Sequence, residues 1–97
     1  MTPPLPDLIL HTRAGCHLCD ETKAMLLRLV AERAARGLGT PRLVEVDIEA
    51  DDALQREMLE LIPVVQLGER RLELAVSPRK VRRFVEDALD RIPTAGA

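Results

Sequence analysis

The stretch that decides the fold is LILHTRAGCHLCDE at residues 8–21. It opens with a short apolar run of strand length, Leu8 to Thr12, and passes into a helical pattern from Cys16 to about Arg36. Gly37 follows as the expected C-terminal cap of that helix. The apolar residues expected on one face of the helix are Leu18, Met25, Leu26, Leu29 and Val30.

Two cysteines stand where the predicted strand gives way to the predicted helix, and a C-x-x-C pair in that context is typical of a redox-active dithiol. With Cys16 as N-cap, its sulfur can accept a hydrogen bond from the free amide of Leu18 or Cys19. The helix dipole and the nearby Arg13 also favour a thiolate at Cys16, whereas the two carboxylates that follow Cys19 oppose it. We therefore expect Cys16 to be the nucleophile and Cys19, one turn inside the helix, to be the resolving thiol.

Downstream, the chain alternates between strand and helix patterns. A second strand is predicted from Leu43 to Ile48, and Asp51 or Asp52 is placed to cap a helix. The apolar positions of that helix are Leu54, Met58 and Leu61. Pro63 ends the helical segment and opens a third strand at residues 64–67.

A hairpin and a final helix complete the pattern. Gly68-Glu69 suits a type II′ turn, and Ser77 followed by Pro78 suits a helix start. The return strand is expected to carry Leu72, Leu74 and Val76. The final helix keeps its period through Val81, Phe84, Val85, Ala88, Leu89 and Ile92, up to Pro93. This order predicts an α/β fold, in which a βαβ unit with parallel strands belongs to a four-stranded mixed sheet flanked by three helices.

Composition indicates one domain over residues 1–97, since 46% apolar residues can build one core and Phe84 is the single aromatic. The net charge of -2, with no basic stripe and no stacking aromatics, argues against nucleic-acid binding. No apolar run approaches the ~20 residues of a membrane span. The first ten residues show no secretory signal, so we expect a soluble cytoplasmic monomer.

Three stretches together resemble the small glutaredoxin-like proteins of the thioredoxin superfamily: residues 8–21, VEVDIEAD at 44–51 and IPVVQLGER at 62–70. The resemblance covers roughly residues 8–92 and implies a thioredoxin-like fold with thiol–disulfide oxidoreductase activity, Cys16 attacking and Cys19 resolving. It also implies a cis Pro63 that faces the cysteine pair and turns the Ile62 backbone outward, toward an incoming peptide or glutathione. Arg13 lies where such proteins often carry a basic residue near the glutathione carboxylate.

The sequence departs from the family pattern at three places. His17-Leu18 replaces an aromatic within the C-x-x-C, and Leu61-Ile62 precedes the proline where many members have Thr-Val. The segment at residues 74–78 lacks the glycine pair that grips glutathione in most members. The expected partners are therefore disulfide-containing proteins as substrates, with either glutathione or a disulfide reductase as the reductant. No tightly bound cofactor is required, and glutathione is a candidate co-substrate.

Two other functions use the same residues differently. The first is a metal module, in which Cys16 and Cys19 bind zinc with help from His11 or His17, or share an iron–sulfur cluster between two chains. The second is a non-catalytic interaction domain that keeps the fold. Apart from those roles, His11 is interpreted as structural or exposed. His17 is interpreted either as a group that raises the reduction potential by stabilising the thiolate when protonated, or as an exposed polar residue. Arg70 and Arg71 are interpreted as part of a solvated turn. The basic start of the last helix is interpreted as solvated surface, with a partner contact as the lesser alternative: Arg79, Lys80, Arg82 and Arg83.

Overall fold

A computed structural model describes residues 5–91 and contains four strands and three α-helices in the predicted order. Their bounds are β1 Leu8–Thr12, α1 His17–Ala35, β2 Leu43–Asp47, α2 Asp52–Met58, β3 Val64–Leu67, β4 Arg70–Leu72 and α3 Pro78–Asp90. A short 3-10 helix, Ile48–Ala50, joins β2 to α2. The predictions for Ile92 and Pro93 fall outside the described residues. The α/β class predicted from the sequence is confirmed.

The four strands form one mixed sheet in the order β2-β1-β3-β4. Strand β1 pairs in parallel with β2, and α1 provides the long connection that a parallel pair needs. Strand β3 runs antiparallel to both β1 and β4, with His11 opposite Val64. Because the end of β1 pairs with the start of β3, the loop before Cys16 and the residue Pro63 lie at the same end of the sheet.

The core is aliphatic, as the composition predicts, and is divided between the two faces of the sheet. The larger cluster lies between the strands and the helices α1 and α3, and includes Leu8, Leu10, Leu26, Val65, Leu67, Val81 and Val85. The smaller cluster, on the face of α2, is formed by Ile48, Met58 and Val64 with Leu54, Leu61 and Ile62 packed against it. Successive residues of β3 alternate between the clusters because successive side chains of a strand point to opposite faces.

Helix ends follow the sequence predictions closely. Cys16 is the N-cap of α1, Asp51 that of α2 and Ser77 that of α3, with Pro78 in the first position. Gly37 has φ of 73° after α1, and its amide donates to Ala34 while the Leu38 amide donates to Arg33. This pair of bonds is a Schellman motif, which the left-handed conformation of a glycine permits. Gly68 likewise has the positive φ, 62°, that a type II′ turn requires.

The expectation for the first turn of α1 is wrong at Leu18, which is 50% exposed. The buried positions in that turn and the next belong to Cys19 and Thr22. Helical period alone places Leu18 on the apolar face. Burial also requires an element to pack against, and the apolar cluster covered by α1 starts only at Met25.

The prediction for the return strand is also wrong beyond Leu72. Leu74 is 57% exposed with φ of 49°, Val76 is exposed as well, and Ala75 between them is buried. The chain leaves the sheet because residues 74–75 bond elsewhere: the amide of Leu74 donates to Leu61 and that of Ala75 donates to Pro63. The alternation of apolar residues therefore continues for longer than the strand does.

Two smaller boundary predictions also differ from the structure. Strand β2 ends at Asp47, one residue early, because the Asp47 carboxylate accepts from the amide of Glu49 and caps the 3-10 helix. Helix α2 ends at Met58, so Leu61 follows the helix yet still packs in the smaller cluster. Within the described residues, no helix is long and apolar enough to cross a membrane.

Candidate active site

Cys16 and Cys19 are joined by a disulfide at the start of α1, with their Cα atoms 5.2 Å apart. The amide of Cys19 donates to Sγ of Cys16 at 3.2 Å, one of the two bonds that the sequence predicts for an N-cap cysteine. Cys16 is partly exposed, whereas Cys19 is 1% exposed. The outer sulfur can therefore meet an incoming disulfide, and the inner sulfur is reached through its partner.

The N-terminus of α1 places partial positive charge beside the sulfur of Cys16. The amide of Asp20 donates to the Cys16 carbonyl at 3.1 Å, so the helical hydrogen bonds of α1 begin at Cys16. The positive end of the helix dipole, about half an elementary charge, thus acts at Cys16. In the reduced protein this field favours a thiolate at Cys16, while burial of Cys19 disfavours a charge there.

The side chains of His17 and Glu21 lie next to each other near the start of α1. Nε2 of His17 lies 3.3 Å from Oε1 of Glu21, and both side chains are mostly exposed. An exposed pair four residues apart on a helix interacts weakly and is screened by solvent. The interpretation of His17 as an exposed polar residue is confirmed.

Pro63 and Ile62 lie at the start of β3, at the same end of the sheet as the loop that precedes Cys16. The Ile62–Pro63 peptide bond is cis, as the resemblance implies, and Pro63 is fully buried at the start of β3. The amide of Ile62 donates to the Met58 carbonyl at 3.1 Å. Among residues 5–91, no backbone amide donates to the Ile62 carbonyl. An incoming backbone can therefore pair with that carbonyl directly, but with the amide only if the bond to Met58 opens.

A buried threonine, which the sequence analysis missed, links α1 to Pro63 through Ala75. The hydroxyl of Thr22 lies 2.6 Å from the Ala75 carbonyl and 3.0 Å from the Leu18 carbonyl. The amide of Ala75 donates to the Pro63 carbonyl at 2.8 Å. Helix α1 is thus tied through Ala75 to Pro63. The available signal was a polar residue on the apolar face of a helix, one turn after Cys19.

Arg13 belongs to a polar cavity of about 310 Å³ on the β2 side of the cysteines. The residues that line it are Thr12, Arg13, Ala14, Gly15, Cys19, Asp20, Lys23, Glu45 and Asp47. Lys23 lies 2.9 Å from Glu45, and this hydrogen bond raises the pKa of Lys23. Arg13 is exposed and forms no ion pair with the residues that the structure describes. Arg13 therefore lies on the β2 side of the cysteines, whereas Pro63 and Ile62 precede β3, which lies on the other side of β1.

His11 is buried, at 7% exposure, on the α2 face of the sheet. Its Nε2 lies 3.1 Å from Oε1 of Gln66, and Nδ1 has no partner among the described residues. Gln66 in turn donates from Nε2 to the Gly68 carbonyl. A histidine enclosed in this way serves the packing of the sheet, in agreement with the structural interpretation.

The glutaredoxin-like domain family (DUF836) has a sequence model that matches residues 7–91. The crystal structure of protein XcR50 from X. campestris is similar at a TM-score of 0.64 and 26% identity, over 89% of this chain and 99% of the other. The solution structure of glutaredoxin from Brucella melitensis is similar in fold, at a TM-score of 0.57 and 24% identity, over 98% of this chain and 96% of the other. A search of curated proteins finds no match.

The sequence motifs, the sheet order and the cysteine pair agree with these comparisons. The match to the family model spans nearly the whole of the described chain, and both solved structures share the thioredoxin-like arrangement of a four-stranded mixed sheet with three helices. The two cysteines lie within disulfide distance, which supports a thiol–disulfide redox role. This chain belongs to the glutaredoxin-like domain family of the thioredoxin superfamily.

Proposed function

We propose that this protein is a thiol–disulfide oxidoreductase that reduces protein disulfides or glutathione mixed disulfides through Cys16 and Cys19. The observation that carries the proposal is the asymmetry of the pair at a helix N-terminus. Cys16 is partly exposed and its Sγ accepts from the amide of Cys19, while Cys19 is buried. A nucleophile needs access and a stabilised thiolate, and a resolving thiol needs only proximity.

The reaction proceeds in two exchanges. The Cys16 thiolate attacks one sulfur of the substrate disulfide, the substrate S–S bond breaks, and the released sulfur takes up a proton. The Cys19 thiolate, after losing its proton to solvent, then attacks Sγ of Cys16 in the mixed disulfide. The bond between Cys16 and the substrate breaks, the second substrate sulfur leaves as a thiol, and the Cys16–Cys19 disulfide forms. The substrate gains two electrons and the cysteine pair loses them.

Leaving-group ability is a second benefit of the helix field at Cys16, besides faster attack. A thiol whose pKa falls by two units gains thiolate but loses intrinsic nucleophilicity, so attack at pH 7 improves only about threefold. Because a less basic thiolate leaves faster, the same field speeds expulsion of Cys16 when glutathione attacks the substrate-side sulfur of a mixed disulfide. When Cys19 resolves the mixed disulfide, the substrate sulfur is the leaving group, so that exchange depends on the proximity of Cys19.

Substrate binding is proposed to use the Ile62 backbone and the Arg13 side chain. The Ile62 carbonyl, next to the buried Pro63, offers an acceptor to a backbone amide of the bound disulfide. Arg13 offers a guanidinium to a carboxylate, the polar cavity beside it is of ligand size, and glutathione carries carboxylates. The oxidised pair is then reduced by glutathione or by a disulfide reductase.

The experiment is a pair of serine variants assayed with a model mixed disulfide and with a trapping screen. Cys16→Ser is expected to abolish exchange, and Cys19→Ser is expected to accumulate a mixed disulfide on Cys16 that a reductant releases. Serine is a good N-cap, so loss of activity in Cys16→Ser will not come from loss of the helix start. Full exchange activity in Cys16→Ser would disprove the proposal.

The metal module predicts a different result from the same proteins. Within residues 5–91, no group of three or more His, Cys, Asp or Glu side chains is placed to hold a metal ion, so one chain offers the two thiols alone. A zinc ion or cluster would then have to be shared between two chains. Stoichiometric zinc or iron in the purified protein, with thiols that react only after a chelator is added, would replace the dithiol proposal.

A further inference from the structure

A second cavity, whose lining includes neither cysteine, lies between β4 and α3. It has a volume of about 220 Å³ and is lined by Arg70, Leu72, Lys80, Arg83, Phe84 and Asp87. Leu72 and Phe84, both partly buried, pack against the larger core cluster and provide an apolar floor. We call this cavity the β4–α3 groove.

The rim of the groove is basic and unpaired. Arg70, Lys80 and Arg83 form no ion pair with any described residue, and Asp87 is the single carboxylate in the lining. Neighbouring arginines behave differently: Arg71 contacts Glu57 and Glu73, and Arg82 contacts Glu32 and Glu86. The cations that surround the apolar floor are therefore available to an external anion.

The local fold brings these side chains together at a cost to the helix. Positions 80, 83, 84 and 87 share one face of α3, and Arg70 and Leu72 share one face of β4. The first turn of α3 contains no acidic residue. Cations at a helix N-terminus oppose the macrodipole, so this placement does not serve the stability of the helix.

We propose that the β4–α3 groove binds an acidic peptide segment of a partner protein, with one apolar side chain in the groove and flanking carboxylates on the basic rim. The volume is below the 300–1,000 Å³ typical of cofactor and drug-sized sites and suits one anchoring side chain. An apolar anchor inside a charged rim is the usual arrangement of a protein contact, in which the rim charges select and steer the partner. This surface goes beyond the proposed exchange reaction and does not use either cysteine.

The experiment measures binding of a fluorescein-labelled, cysteine-free heptapeptide, Glu-Asp-Glu-Leu-Asp-Glu-Asp, by fluorescence anisotropy. Saturable binding is expected, about tenfold weaker for the double variant Arg70→Glu/Arg83→Glu. The matched control Arg28→Glu/Arg56→Glu carries the same change in net charge outside the groove and is expected to bind within about twofold of the unmodified protein. A peptide with Ser in place of Leu is expected to bind more weakly, because the apolar anchor is lost.

Several outcomes would overturn the proposal. Equal losses in the groove and control variants would mean non-specific electrostatic attraction, and equal affinity for the Ser peptide would mean that the floor is not used. Arg70 and its neighbour also suit protection of the edge strand. Self-association of the groove variant with unchanged peptide affinity would favour that role instead. Absence of saturable binding at millimolar peptide would also contradict the proposal. Amide signals of the groove that shift on addition of octanoate but not of the peptide would contradict it too.

A second measurement keeps the test valid if the groove variant does not fold. Titration of the unmodified, isotope-labelled protein with the same peptide is expected to shift amide signals of residues 70–72 and 80–87 first. Shifts confined to residues 13–19 and 62–63 would place the peptide at the cysteine site and contradict the proposal. Because the peptide has no thiol, neither result depends on whether the protein catalyses disulfide exchange.

Discussion

Two helix N-termini in this molecule are built alike and used differently. At α1 the cap is a cysteine sulfur, and Asp20 in the first turn agrees with the helix dipole. At α3 the cap is the Ser77 hydroxyl, and the first turn carries the cations Arg79 and Lys80, which oppose the dipole. The field at α1 acts on a reactive sulfur, whereas α3 presents uncompensated charge on the surface. A helix start is therefore a general device whose use depends on the residue at the cap and the charges of the first turn.

The largest expected effect on stability comes from cutting the link between α1 and Pro63 that runs through Thr22 and Ala75, a link that α3 does not share. Thr22→Val keeps the shape of the side chain but removes the buried hydrogen bond from the Thr22 hydroxyl to the Ala75 carbonyl. We expect a loss of about 1–3 kcal/mol in the free energy of unfolding, measured by urea denaturation. Exchange activity should fall as well, because Pro63 is less firmly held.

The control for this prediction is Thr40→Val, the same change at an exposed threonine, which should alter stability by less than about 0.5 kcal/mol. Equal effects at the two positions would show that the buried bond does not hold the site together.

The caps themselves should separate stability from activity. Ser77→Ala is expected to cost about 1 kcal/mol of stability and to leave disulfide exchange unchanged, because within residues 5–91 the hydroxyl bonds only the amide of Lys80, from which it accepts. Under reducing conditions, Cys16→Ala should be less stable than Cys16→Ser by a similar amount, while both lack exchange activity. Thermal unfolding and a model disulfide assay test both statements. A loss of exchange in Ser77→Ala comparable with that in the cysteine variants would refute the distinction.

Changing the charge in the first turn of α1 or α3 should alter stability modestly, and the change in α1 should also alter the reactivity of Cys16. Arg79→Glu is expected to stabilise the protein by about 0.3–1 kcal/mol at low salt, and Asp20→Asn to destabilise it by a similar amount. Asp20→Asn should also speed alkylation of reduced Cys16, since a like charge near the thiolate is removed, whereas Arg79→Glu should not. Iodoacetamide kinetics and unfolding at low and high salt provide the measurements. Stability changes that persist at high salt would rule out a dipole effect.

The smallest effect concerns the ion pair that joins the two helices. The guanidinium of Arg82 in α3 bonds both oxygens of Glu32 in α1 and lowers the pKa of that carboxyl. A lowered folded-state pKa means that the stabilisation is present above the unfolded-state pKa and is lost as pH falls through the folded-state pKa. Glu32→Gln should therefore be less stable than the unmodified protein at pH 7, and the difference should shrink on acidification. A difference that does not change with pH would contradict this account.

Local sequence signals predicted the helix starts and the end of α1, because caps depend on a few adjacent residues. The assignments of Cys16, Ser77 and Gly37, and the pair Asp51 or Asp52 for α2, needed only the chemistry of free amides and carbonyls at helix ends. The end of α2 was not predicted, because the apolar period continues beyond it. The cis bond at Pro63 came from family resemblance and not from local preference.

What the sequence could not predict depends on contacts between distant segments. The early exit of the chain from β4 follows from bonds of residues 74–75 to residues 61 and 63, which no apolar alternation reveals. The role of Thr22 and the bond between the Ile62 amide and Met58 are likewise properties of the assembled site. Charge pattern alone identified the basic start of α3 but not the apolar floor that makes a groove beside it.

The most direct test of the central claim, that Cys16 and Cys19 act as a working dithiol, is a redox titration of the purified protein in glutathione buffers. Free thiols are counted by gel shift after alkylation at each buffer potential. The account predicts a reversible two-electron transition to an intramolecular disulfide, in the range of related folds, roughly -270 to -120 mV. Failure to form that disulfide at any glutathione ratio, or thiols that stay blocked until a chelator is added, would contradict it.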